Sequence, residues 1–109
     1  MPAELDHIWK ALSDATRREI LDVLCEGPRT TTELVERFPQ LSRFGVMKHI
    51  DVLRAAGLII TRREGRKSIN SLNAAPLRQI FERWVSKYES FWANSLLRVK
   101  EGAEGQAAD

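Results

Sequence analysis

The chain has 109 residues, of which 43% are hydrophobic and 29% charged, a composition typical of one globular domain. Its single cysteine, Cys25, excludes a disulfide or a multi-cysteine metal site within one chain. The N-terminus has no long apolar run, and no stretch approaches the ~18 apolar residues of a membrane span. We therefore expect a cytoplasmic protein with no signal peptide and no membrane segment.

Positive charge is concentrated in the middle of the chain. The net charge is only +2, yet residues 29–67 carry nine basic and four acidic side chains. The remainder carries eight basic and eleven acidic side chains. A basic centre between acidic ends is typical of a protein that contacts a polyanion. Chance clustering on a solvated surface would give the same pattern, and charge alone does not decide between the two.

Four helices are predicted in the first half of the chain. The first covers Glu4–Leu12, and Ser13 or Asp14 is suited to cap the second, which runs to about Cys25 before Gly27-Pro28. The third covers Thr30–Phe38, where Thr30 and Glu33 have the spacing of a capping box. Ser42 is suited to cap the fourth helix, which ends near Gly57. The buried stripe of the fourth helix is expected to consist of Val46, Ile50 and Leu53.

Two strands and a long helix are predicted to follow. The strands cover Leu58–Arg62 and Lys67–Leu72, with Ile69 and Leu72 as the apolar residues of the second strand and a turn at Glu64-Gly65. The last helix runs from about Ala75 to Lys100, with Pro76 in its first turn. Residues 1–101 are thus expected to form one domain. The segment 102–109 has no large apolar residue and is expected to be disordered.

This order of elements describes a winged helix-turn-helix, mainly α with a small β-hairpin (α-α-α-α-β-β-α). In such a fold one helix fits the DNA major groove, with its N-terminal residues at the base edges. Four cations surround Gly65 at the hairpin tip and are suited to contact phosphate, although charges that merely solubilise an edge strand are the alternative. They are Arg62, Arg63, Arg66 and Lys67.

The outward side chains of the fourth helix carry chemistry that suits DNA. Arg43 can form a bidentate pair with guanine O6 and N7. Lys48 can neutralise a phosphate, and Ser42 can donate to one at the helix N-terminus. An ordinary solvated helix face is the alternative reading for Arg43 and Lys48.

Three segments together resemble the ArsR/SmtB family of bacterial winged-helix repressors. They are WKALSDATRREILDVL, TTTELVERFPQLSRFGVMKHIDVLRAAGLI and RREGRKSINSL, which span Trp9 to Leu72. The resemblance implies a homodimer formed through the first and last helices. It also implies promoter binding that is usually repressive and is relieved by an inducer. The groove-facing residues it implies are Ser42, Arg43, Met47, Lys48 and His49, with Arg62, Arg63, Arg66 and Lys67 in the wing.

The fourth helix departs from the family pattern at two places. Met47 stands where the family commonly has serine, so one polar contact is missing. Phe44-Gly45 is unusual in a recognition helix, since glycine costs ~1 kcal/mol relative to alanine there. An exposed Phe44 can instead pack on a thymine methyl group. Both departures affect the operator sequence and not the act of binding DNA.

The metal sites common among members of this family are missing from the sequence. The second helix of the helix-turn-helix has no cysteine, and the last helix has no histidine. We therefore expect no metal site and no cofactor. Cys25 is expected to be buried as a small apolar side chain. Sequence leaves open a pair of Cys25 residues across a dimer.

The last helix carries an apolar seam at heptad-type spacing. A monomer of this size cannot bury so many large aromatic residues. We therefore expect an interface with a second copy of the chain. The predicted dimer interface consists of Leu5, Ile8, Trp9, Leu77, Phe81, Trp84, Tyr88, Phe91 and Trp92. A second hypothesis is a pocket for a small organic inducer between Trp84, Tyr88 and Trp92, although such stripes are more often core.

These patterns predict a dimeric, sequence-specific DNA-binding transcriptional regulator, a repressor that binds a pseudo-palindromic operator. The alternative is a winged-helix module that binds a partner protein without specific DNA binding. Catalysis is not expected, because the chain shows no glycine-rich phosphate loop, metal cluster or Ser/His/Asp arrangement.

Overall fold

The structure is a computed structural model that describes residues 3–108, and at positions 4, 97 and 100–108 it describes the backbone only. The chain forms two compact units that divide between Leu77 and Arg78. The elements, in chain order, are a 3-10 turn Ala3–Leu5, α1 Asp6–Leu12, α2 Ala15–Cys25, β1 Arg29–Thr30, α3 Thr31–Arg37, α4 Arg43–Ala55, β2 Ile59–Glu64, β3 Lys67–Leu72, α5 Ala75–Ile80, a π-helical turn Phe81–Val85 and α6 Ser86–Ala108. The predicted fold class, mainly helical with a small antiparallel hairpin, is confirmed.

Three helix N-termini in the first unit are closed by the side chains that sequence predicts for them. Asp14 Oδ2 accepts a hydrogen bond from the backbone N–H of Arg17 at 3.0 Å. Thr30 and Glu33 form a reciprocal capping box, with both N···O distances at 3.1 Å. Ser42 Oγ accepts from the backbone N–H of Gly45 at 3.0 Å. Each bond satisfies a donor that the helix itself cannot pair, so these boundaries follow from local sequence.

The same bonds lower the pKa of two carboxyl groups. The pKa of Asp14 lies below its usual range, chiefly because its carboxylate accepts from the backbone N–H of Arg17. The pKa of Glu33 is also lowered, first by the backbone N–H of Thr30 and then by the Thr30 hydroxyl. A hydrogen bond that the ionised carboxylate accepts favours that form.

The core of the first unit is built from α1 to α4 and the sheet. The predicted stripe on α4 is buried, with Val46, Ile50 and Leu53 at most 2% exposed. Ile20 of α2 and Leu34 of α3 are fully buried too. These side chains fix the orientation of α4, because turning the helix would expose its apolar stripe to water.

The sheet has three strands where sequence predicted two. Their order is β1-β3-β2, and both neighbouring pairs are antiparallel. The short strand β1 pairs with β3 at Arg29 opposite Asn70 and Thr30 opposite Ile69. The predicted apolar residues of β3 do not form its core, since Ile69 and Leu72 are only half-buried while Asn70 is fully buried. β3 is the central strand, so the residue buried between its two neighbours can be polar if its hydrogen bonds are satisfied.

Burial in the first unit bears on two sequence predictions. Of the residues predicted for a dimer interface, Leu5 and Ile8 are buried within the chain at 5% and 4% exposure, whereas Trp9 is 36% exposed; their part in an interface stays a prediction. The short helix α1 packs against α2 and α4, and this packing uses its apolar face. Cys25 is exposed rather than buried. Leu24 occupies the inward face at the end of α2, and the next residue is turned about 100° away from it.

The second unit differs from the predicted single helix. The helix is interrupted by the π-helical turn Phe81–Val85 and continues to Ala108. It therefore enters segment 102–109, for which sequence predicts disorder. Alanine, glutamate and glutamine in this segment are good helix formers. Asp109 lies outside the described residues. Among residues 3–108, no helix is both long and apolar enough to cross a membrane.

Candidate nucleic-acid interface

α4 presents its polar and basic face because its apolar face is occupied. With Val46, Ile50 and Leu53 buried, Arg43, Phe44, Met47 and Lys48 are left exposed. The Ser42 cap lies at the exposed start of this helix. The predicted groove-facing residues 42, 43, 44, 47 and 48 therefore share one accessible surface.

The hairpin β2–β3, which we call the wing (residues 59–72), carries the second set of predicted residues. Gly65 adopts a φ of +64° at the tip, a conformation that favours glycine. Its two-residue turn places Glu64 opposite Lys67 and Arg63 opposite Ser68. Arg62 forms an ion pair with Glu64 at 3.3 Å, so its charge is partly offset on the strand itself.

A cleft of about 510 Å³ lies between α4, the start of α3 and the wing, and we call it the α4–wing cleft. It is lined by Thr30, Thr31, Thr32, Glu33, Arg43, Met47, Arg63, Arg66, Lys67 and Ser68. Four of these side chains are cationic and one is acidic. The acid, Glu33, already accepts a hydrogen bond from the backbone of Thr30. The cleft thus brings Arg43 of the helix together with three of the four predicted wing cations, and its positive charge suits phosphate.

His49 is not on the surface of the α4–wing cleft. Its ring is mostly buried, with 22% of the side chain exposed. Nδ1 lies 3.4 Å from Arg17 Nη1 and 3.8 Å from Asp14 Oδ2. Arg17 in turn donates from Nε to the carbonyl of Ala11 at 2.7 Å. His49 therefore connects α4 to the junction of α1 and α2, within the fold rather than at the predicted groove-facing position.

A polar network around the buried Asn70, which sequence reasoning missed, connects the wing to α3 and α4. Asn70 Nδ2 donates to the carbonyl of Arg29 at 3.3 Å and to Thr31 Oγ1 at 3.1 Å. Thr61 Oγ1 donates to Asn70 Oδ1 at 2.8 Å. Arg54 Nε and Nη2 both donate to Thr61 Oγ1 at 3.1 Å. An asparagine in the middle of a strand is unfavourable for β-structure, and that was the available signal.

The first turn of α4 carries an aromatic side chain paired with a cation. Phe44 is 70% exposed, and Lys48 Nζ lies 5.2 Å from the centre of its ring. This distance is within the range of a cation–π interaction. Phe44, Lys48 and the neighbouring Met47 therefore form a mixed apolar and basic surface at the N-terminal half of α4.

No cluster of three or more histidine, cysteine, aspartate or glutamate side chains able to hold a metal ion occurs in the part of the chain that the structure describes. The sequence-based expectation that the chain lacks the family's metal sites stays a prediction.

Comparisons with known proteins agree with this fold. Residues 12–62 match the family model described as "Helix-turn-helix domain". The transcriptional repressor SdpR of Bacillus subtilis is 35% identical over 92 residues, which cover 84% of this chain and 100% of that protein. The arsenical resistance operon repressor of Staphylococcus aureus is 39% identical over 79 residues, covering 72% of this chain and 75% of the repressor.

Solved structures show the same fold. An ArsR-like transcriptional regulator from Rhodococcus sp. RHA1 superposes with a TM-score of 0.73 at 33% identity, covering 94% of this chain and 93% of that one. Identity and coverage at this level, together with the winged helix-turn-helix fold, show that the chain belongs to the ArsR family of helix-turn-helix transcriptional regulators.

Proposed function

We propose that this protein is a dimeric repressor that binds a pseudo-palindromic operator through α4 and the wing. The observation that carries the proposal is the α4–wing cleft, in which Arg43 lies with Arg63, Arg66 and Lys67. A concave cationic surface beside an exposed helix fits a DNA duplex, because the helix enters the major groove while the wing reaches the flanking backbone.

The two parts of this surface have different roles. Arg43, in the first turn of α4, reads a guanine edge, and Lys48 contacts phosphate. Wing residues Arg66 and Lys67 neutralise phosphates, which increases affinity for every DNA sequence and makes binding depend on salt. Sequence preference therefore comes from α4, and much of the total affinity comes from the wing.

Dimerisation is proposed from the exposed aromatic side chains of the second unit. Tyr88, Phe91 and Trp92 are 56%, 61% and 64% exposed, which is a large apolar surface to leave in water. A second copy of the chain would cover it. Two-fold symmetry of the dimer then requires two related half-sites in the operator. Sedimentation velocity of the full chain should show a dimer, and a Trp92→Glu variant should shift it towards monomer.

Metal sensing through the family's usual ligand sets is not part of the proposal, because the chain has one cysteine in total and its last helix has no histidine. A small organic inducer bound near Trp84, Tyr88 and Trp92 remains a hypothesis. Titration with apolar aromatic compounds should then change tryptophan fluorescence and release DNA. Compounds that leave both signals unchanged would count against such a pocket.

The experiment that tests the proposed function is fluorescence anisotropy with two labelled duplexes across a salt series. One duplex is the promoter upstream of the protein's own gene, and the other is a scrambled duplex of the same composition. Saturable binding that strongly prefers the promoter supports an autoregulatory repressor. Equal, strongly salt-dependent binding to both duplexes would mean that the operator is not in this promoter. The operator would then be selected from random duplexes. A confirmed dimer that binds neither at low salt would overturn the proposal in favour of a protein-interaction module.

A further inference from the structure

We infer that Phe44 reads the C5-methyl group of a pyrimidine in the major groove, which in unmodified DNA is the methyl group of thymine. The inference rests on the proposed function and extends it to one feature of the operator. It starts from the position of Phe44 as the second residue of α4. Base edges are contacted from the N-terminal part of a recognition helix, so this side chain is placed where sequence is read.

The Phe44 ring contributes little to the packing of the chain. Phe44 is 70% exposed, and its neighbour Met47 is 44% exposed. These two residues are the apolar part of a surface whose other large side chains, Arg43 and Lys48, are cationic. DNA offers few apolar partners for such a pair. In the major groove the C5-methyl group is the apolar feature that distinguishes one base pair from another, and phenylalanine is one of the residues that contact it.

Two neighbours favour this contact. Lys48 Nζ lies 5.2 Å from the ring centre, so one side of the ring is held near a cation that can also reach phosphate. The next residue, Gly45, has no side chain. An added Cβ would meet Ser42 Oγ at 3.4 Å and Leu41 Cβ at 4.0 Å, which are ordinary contacts. Packing within the chain therefore does not require glycine, and its lack of a side chain leaves the first turn of α4 free to approach the bases closely.

The same methyl group occurs in thymine and in 5-methylcytosine, and the test separates the methyl group from the base pair that carries it. An operator is first selected from random duplexes with the full chain. Each thymine of one half-site is then replaced by deoxyuridine, which removes only the methyl group. At the sensitive position the T·A pair is also replaced by C·G and by 5-methylcytosine·G.

The wild-type protein is expected to lose about fourfold in affinity when deoxyuridine replaces the sensitive thymine, the value for one buried methyl group. The wild-type protein should bind the operator with 5-methylcytosine more tightly than the operator with cytosine at the same position. A Phe44→Ala variant should bind the thymine and deoxyuridine operators equally, because the partner of the methyl group is gone. Ile60→Ala removes another exposed apolar side chain, 57% exposed and outside the cleft lining, and should retain the wild-type discrimination.

If Phe44→Ala unfolds at the same temperature as the wild-type protein, its loss of discrimination is not caused by a loss of folded structure. A wild-type protein that prefers its selected operator but is indifferent to deoxyuridine at every position would overturn the role of Phe44 and leave the proposed function standing. Persistence of the discrimination in Phe44→Ala would also overturn it. Equal binding to selected and scrambled duplexes would instead overturn the proposed function itself.

Discussion

Replacing Asn70 with alanine should destabilise the protein far more than a typical polar substitution. The Asn70 side chain is fully buried, donates to the Arg29 carbonyl and the Thr31 hydroxyl, and accepts from Thr61. Each net hydrogen bond contributes about 1 kcal/mol, and a buried group left without a partner costs more. The expected loss in the free energy of unfolding is therefore about 2–4 kcal/mol, a large part of the stability of a small domain.

The assay is urea denaturation followed by circular dichroism at constant protein concentration. Ser71→Ala on the same strand is the matched control, because Ser71 is only partly buried; its effect should stay within about 0.5 kcal/mol. Thr61→Val should fall between the two, since it removes the hydroxyl between Asn70 and Arg54. A loss below about 1 kcal/mol for Asn70→Ala would refute the reasoning, because the network would then be contributing less than one hydrogen bond.

Two further predictions concern the helix N-termini. Because the pKa values of Asp14 and Glu33 are lowered in the folded state, their contribution to stability is complete above the usual carboxyl range and is lost as pH falls through the folded pKa values. Urea midpoints measured from pH 7 to pH 2 should thus fall less steeply for an Asp14→Asn/Glu33→Gln variant, and identical slopes would contradict this. Gly45→Ala should raise the free energy of unfolding by about 0.5–1 kcal/mol, since its Cβ meets only ordinary contacts; thermal unfolding at a lower temperature than wild type would show that the backbone there needs glycine.

Features that depend on short stretches of sequence were predictable. The Asp14 and Ser42 caps, the Thr30–Glu33 capping box and the buried stripe of α4 all involve residues three or four positions apart. The basic surface was predictable for a different reason. The order of elements indicates a winged helix-turn-helix, and this fold brings Arg43 of α4 and the wing cations into one cleft.

Features that depend on distant residues were missed. The strand β1 exists because Arg29 and Thr30 pair with Asn70 and Ile69, about forty positions away. His49 lies against Asp14 and Arg17 from a different helix, and its ring orientation cannot be read from the spacing within α4. Cys25 was expected in the core because its neighbours are apolar, but its direction depends on where α2 ends. In each case tertiary packing decides what local sequence leaves open.

The central claim is that α4 supplies sequence preference and the wing supplies affinity for phosphate. Its most direct test is the comparison of Arg43→Ala and Arg66→Ala in anisotropy titrations with the selected operator, its single-base variants and a scrambled duplex over a salt series. Arg66→Ala should weaken binding to all duplexes alike and reduce the slope of log K against log salt by about 0.9 for each phosphate that the variant no longer neutralises. Arg43→Ala should instead relax preference at one base pair in each half-site. An Arg66→Ala protein with unchanged affinity and unchanged salt slope would contradict the account.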